Sequence, residues 1–176
     1  FGVDMVALVG GVPRTLTLRD ALVAYVDHQI EVVTRRSEYR LDQAQKRLHI
    51  VEGLLNALDL IDEIIATIRA SEDRGAAREA LMAGVAPAGG GEAVAFSEVQ
   101  ANHILDMQLG RLTRLGRADL EEEAGQLLET IGELEAILGD DTKLRTVITD
   151  ELNEIAGNFG EERRSRLEID PGEFDI

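Results

Sequence analysis

No cysteine and no tryptophan occur in the 176 residues, and aromatic side chains make up only 3% of them. The first absence removes disulfide and thiolate chemistry and suits a reducing compartment. The second removes the bulky side chains that fill a thick globular core, although 44% of the residues are hydrophobic. Bases are scarce too, 18 against 34 acids, giving a formal net charge of −16 and a pI near 4.5. Static nucleic-acid binders hold phosphates with basic patches that release counterions, so this chain by itself is a poor candidate for that class. No apolar run approaches the roughly 20 residues of a membrane span, and the N-terminus lacks the basic flank of a signal peptide. The expectation is a cytoplasmic protein with no membrane segment.

What is present is heptad order. Leu41, Ala44, Leu48, Val51, Leu55 and Leu58 recur at alternating spacings of three and four, as do Leu120, Ala124, Leu127, Ile131, Leu134 and Leu138. Each run keeps one apolar seam on one helix face, and each must bury it. The nearest partner for one run is the other, returning antiparallel. The predicted fold is therefore mainly α: a long antiparallel coiled-coil hairpin with a small helical head for dimerisation, preceded by a short β-hairpin.

The pass along the chain divides it accordingly. Residues 1–17 hold two β-prone runs, Met5–Val9 and Val12 onward, around Gly10 and Gly11, and read as a hairpin ending a preceding domain. Residues 18–70 are the outgoing helix: Thr17 with Asp20 forms a capping box, and up to Arg69 there is no proline and one glycine, Gly53. Such a helix of about 50 residues would reach about 75 Å. Residues 71–116 make the head, with a short helix over 76–83, a second capping box at Ser97 and Gln100, and a glycine-rich loop over 84–95 that has little to pack and is expected to be flexible. Residues 117–159 return, broken at Gly139, with an aspartate capping a last helix that turns Leu144, Ile148, Leu152 and Ile155 inward. Residues 160–176 read as a linker tail.

Chemistry is thin. His28, His49 and His103 each precede a carboxylate by three residues (Glu31, Glu52, Asp106), a spacing that makes helical neighbours. A helical di-iron site needs the reverse order and further converging carboxylates, so exposed polar pairs are the preferred reading and no metal site is expected. Gly89 to Gly91 lack the following lysine and hydroxyl of a phosphate loop. Tyr25 and Tyr39 are read as seam or flank packing. From Asp119 to Glu135 there are seven acids and no base, read as a solvated face. No nucleophile, base and orienting group assemble, so no catalytic or cofactor-binding residue is assigned.

Several stretches match whole motifs in order: FGVDMVALV (1–9), HQIEVVTRR (28–36), RLHIVEGL (47–54), ILDMQL (104–109) with Leu112 and Thr113, and FGEERR (159–164). On these the chain resembles the A-subunit family of bacterial DNA gyrase and topoisomerase IV, the type IIA DNA topoisomerases, from the end of the tower domain through the coiled coil to the exit gate. It departs from the family pattern at Gln29, Gln108, Arg114 and Gly116. The resemblance implies an isomerase that cuts one duplex, passes another through and uses ATP and Mg2+ bound elsewhere. It implies as partners a second copy through the head, a transiently passing duplex, the remainder of the A subunit, and the ATPase B subunit, with no membrane. The family's cleaving tyrosine follows an arginine; Tyr25 follows Ala24 and Tyr39 follows Glu38, so neither inherits the role. Leu81, Met82, Leu105, Met107, Leu109, Leu112 and Leu115 offer more apolar surface than a short helix pair hides and are the expected dimer contact. The alternative is an autonomous coiled-coil hairpin that serves as an interaction protein without enzymatic role.

Overall fold

The computed structural model describes Gly2, residues 4–107 and residues 116–166. Strands β1 (Met5–Val9) and β2 (Val12–Leu16) pair antiparallel with Val9 opposite Val12. Gly10 and Gly11 make the turn at φ +60° and +78°, the left-handed geometry a tight hairpin needs and glycine adopts without penalty.

Helix α1 (Leu18–Asp59) starts where the sequence signals it. The Thr17 hydroxyl accepts the Asp20 amide at 3.2 Å, and the Asp20 carboxylate accepts the Thr17 amide at 3.2 Å. The Thr17 hydroxyl and amide hold the Asp20 carboxyl below its usual range, because both stabilise the anion. The helix runs 42 residues and stops, rather than continuing to Arg69 as periodicity suggests. Leu60 leaves helical geometry at φ −116°, ψ 27°, and α2 (Ile61–Ala70) starts immediately after it. No proline or glycine forces this break. Leu60 is 6% and Ile64 1% exposed, so the bend turns both into the head core, and burial outweighs one interrupted turn.

Helices α3 (Arg74–Ala83) and α4 (Glu98–Asp106) complete the described part of the head. Asp73 caps α3 by accepting the Ala76 amide at 2.8 Å. The chain then returns antiparallel along α1 as α5 (Arg117–Gly139) and α6 (Asp141–Phe159), with Asp140 capping the latter through the Thr142 amide at 2.8 Å. All six apolar positions of the second heptad run are buried or half-buried against α1 or the head.

Apolar burial is split in two. The head end of the arm and the head share one cluster containing Val51, Leu54, Ala57, Leu60, Ile64, Leu81, Val85, Phe96, Ala101, Ile104 and Leu120. Near the base, Val33, Leu144 and Ile148 form a much smaller one. Three expectations about side chains are corrected here. Tyr25 and Tyr39 are 47% and 66% exposed, and Ile155 is 51% exposed, so none of them is seam filling. They lie where α1 and α6 have no further helix to cover them.

The glycine-rich stretch also has more to hold than its composition suggests. Val85 and Val94 exchange two backbone hydrogen bonds of 2.9 Å, and Val85 is only 4% exposed. The Glu63 carboxylate accepts the Ala88 amide at 2.9 Å, a bond that lowers its pKa. Exposed Gly89, Gly90 and Gly91 form the tip.

Candidate functional site

The head and the part of the arm next to it carry most of the cross-element polar contacts. Arg47 on α1 donates through Nε and Nη2 to Glu123 on α5, at 2.6 and 2.9 Å. This two-pronged bond lowers the Glu123 pKa and raises that of Arg47, each ion favouring the other's charged form. Arg117 pairs with Asp59, Arg74 with Asp106 at 2.5 Å, and Arg78 with Glu98 at 3.2 Å. Lower down, Arg36 meets Glu151 at 2.5 Å. These side chains remain partly solvated, so each pair adds little to stability and acts chiefly on register. The basic stretch of α1 thus meets the acidic return arm at chosen points, while most of the acids stay in water.

Between these helices opens a cleft of about 510 Å³ lined by Arg47, Leu54, His103, Met107, Leu120 and Glu123, among others. Its bases are Arg47, already committed to Glu123, and His103. Among the described residues no three histidine, aspartate or glutamate side chains converge to hold a metal ion. His28 and His49 are both exposed, as expected, and His49 makes one contact beyond its own helix: its Nε2 lies 2.7 Å from Ser97 Oγ on the cap of α4. Sequence reasoning placed Gln100 in the capping box with Ser97 but missed both this contact and the bond from Gln100, which is 8% exposed, to the His49 carbonyl at 2.6 Å. The one available signal was an otherwise unexplained glycine, Gly53, inside a long helix.

The expected dimer contact falls into three groups. Leu81 is completely covered by its own protomer and serves the head core. Leu105 and Met107 are half-buried against that core, and Met82 is 40% exposed. Leu109, Leu112 and Leu115 lie outside the described residues.

Residues 1–153 match the family model for the A subunit of DNA gyrase/topoisomerase IV. The chain belongs to this family. Over 169 residues, 96% of its length, it is 48% identical to the DNA gyrase A subunit of Staphylococcus aureus. The corresponding protein of Staphylococcus epidermidis is 47% identical over the same share. The chain spans 18% of the length of these relatives. Two of the family motifs, HQIEVVTRR and RLHIVEGL, lie within α1, and RLHIVEGL contributes Val51 and Leu54 to the core. No described helix is long and apolar enough to cross a membrane.

Proposed function

We propose that the chain is the structural and dimerising exit-gate segment of a bacterial type IIA DNA topoisomerase, similar to the DNA gyrase A subunit. It supports ATP-dependent strand passage and supercoiling in the cytoplasm without supplying the cleavage chemistry. The observation that carries the reading is the architecture of this family segment. Its larger apolar cluster lies at the far end of a 42-residue helix, with the apolar side chain of Met82 exposed on the head. A head held out on an arm is suited to meeting its copy across a cavity and parting from it, because the arms need not touch.

Met82, Leu105, Met107, Leu109, Leu112 and Leu115 carry the proposed contact, and Leu81 is withdrawn from it because nothing of its surface is left to cover. The hairpin's exposed Val6, Leu8 and Val12 suit a surface that packs on the remainder of the A subunit. The acidic return arm suits a wall that repels a passing duplex. The B subunit, ATP and Mg2+ enter at other parts of the whole enzyme. Neither Tyr25 nor Tyr39 follows an arginine, so the purified chain is expected to give no relaxation and no covalent DNA adduct.

Light scattering at micromolar concentration tests the contact. The expected result is a dimer that Met82→Glu and Leu109→Glu each weaken. A monomeric wild-type chain would overturn the proposal. A dimer indifferent to both substitutions would remove the contact from these residues.

A further inference from the structure

Gly53 is buried in the interior of α1, where glycine is the least suitable ordinary residue after proline. A Cβ at this position would lie 2.6 Å from Gln100 Cγ and 2.7 Å from its Cδ. The Gln100 side chain therefore lies flat on the bare backbone of α1, in the space a side chain at 53 would take. Both ends of its amide are used. Nε2 donates to the His49 carbonyl at 2.6 Å, and Oε1 accepts the Ser97 amide at 3.0 Å as the far half of the α4 capping box. Across the same point, His49 Nε2 and Ser97 Oγ stand 2.7 Å apart. One side chain thus completes the start of α4 and ties that start to one turn of α1.

Apolar faces such as Ala101 and Ile104 against Val51 and Leu54 reward any arrangement that keeps water out. A buried amide does not: it is satisfied in one register and leaves orphaned groups in its neighbours. We propose that Gly53, Gln100 and His49 form a clasp that fixes the tilt of the head on the arm, with Gln100 as the positioning residue and Gly53 as the seat that admits it. The clasp sets the direction in which the head presents its exposed side. This holds whether or not that side meets a second copy.

Because the chain has no cysteine, two can be introduced for spin labels, at Glu79 on α3 and Glu129 on α5, both exposed. Measured by pulsed dipolar spectroscopy, with labelled chain diluted into unlabelled chain, the head-to-arm distance in otherwise unaltered protein should be one narrow peak. Gln100→Met fills the same space without the amide and should broaden the distribution roughly twofold, with helical circular dichroism unchanged. Gly53→Ala should broaden it too, by displacing Gln100. A second measurement guards against simple unfolding. Gly53→Ala should lower the melting temperature in the natural background and raise it in a Gln100→Ala background, where the three atoms the new Cβ would meet first, Gln100 Cγ, Cδ and Nε2, are gone and the gain in helix propensity is left. A distance distribution as narrow in Gln100→Met as in the natural chain would overturn the clasp, as would the same sign of Gly53→Ala in both backgrounds.

Discussion

The two ends of the arm share the outgoing helix α1, each against an antiparallel return helix, and are packed very differently. At the head end α1 is covered by α2, α4 and α5, and Val51, Ala57, Leu81 and Ala101 have no exposure at all. At the base, among the described residues, α6 is the one helix that covers α1, with β2 beside its first turns. Val33, Leu144 and Ile148 are buried there, while Leu18, Leu22, Tyr25, Ile155 and Phe159 stay between 47% and 80% exposed. A two-helix seam hides one stripe of each helix, and a third and fourth helix are needed to hide the flanks. The head end of α1 is therefore covered on its flanks as well as its seam, and the base presents apolar surface suited to a neighbour.

The largest expected difference between the ends is in core truncation. Leu81→Ala or Ile64→Ala should destabilise by about 2–5 kcal/mol, because a sealed site cannot collapse onto the lost volume. Ile148→Ala should fall at or below the bottom of that range, and Leu22→Ser or Phe159→Ser should stay within about 0.5 kcal/mol in this chain. Urea unfolding of the five variants measures this. Equal losses at Leu81 and Ile148 would break the comparison. A large loss on the same substitution at the matching position of a full-length relative would sharpen it.

A smaller effect is expected from acid. Glu123, Glu63 and Asp20 carry carboxyls lowered by the Arg47 guanidinium, the Ala88 amide and the Thr17 cap, respectively. The unfolded chain takes up these protons first as pH falls. Their stabilisation is thus complete above the ordinary carboxylate range and disappears as pH drops through that range, from about 6 towards about 3. Glu123→Gln and Glu63→Gln should each flatten the pH dependence of the urea midpoint over that interval and leave its slope above it unchanged. An unaltered acid limb in both would show that these contacts do not persist in solution.

The smallest effect is local. Amides of Val85 and Val94 should exchange slowly, since each donates across the bridge, whereas those of Gly89 and Gly91 should exchange fast. Uniformly fast exchange from 84 to 95 would restrict the head's rigidity to its helices.

Much of this was legible because its causes are local. The capping boxes at Thr17 and Ser97, the Gly10 and Gly11 turn, the stop at Gly139 and the second heptad run depend on residues at most seven apart, so sequence displays them directly. The bend at Leu60 was not legible. Nothing in residues 56–61 breaks a helix, and its cause is the pull of Leu60 and Ile64 into a core contributed by α3 and α4. The exposure of Tyr25, Tyr39 and Ile155 was hidden for a related reason: their spacing resembles a seam, and only the number of covering helices decides whether a seam is filled. The Val85 and Val94 bridge was masked by the small residues between its ends. The Gln100 seat on Gly53 joins positions 47 apart in sequence and left only the bare glycine as a trace. For the candidate contact, sequence identified an apolar head but could not tell that Leu81 belongs to its inside.

The uninterrupted run of α1 turns angle into distance. Its 42 residues span about 63 Å at 1.5 Å per residue, so a rotation of about 5° where it leaves the hairpin carries its far end some 5 Å sideways. A displacement of that size exceeds the reach of a hydrogen bond and equals about one helical turn. Movements too slight to disturb a single contact at the base are thus delivered at the tip as a full change of neighbours, by leverage alone.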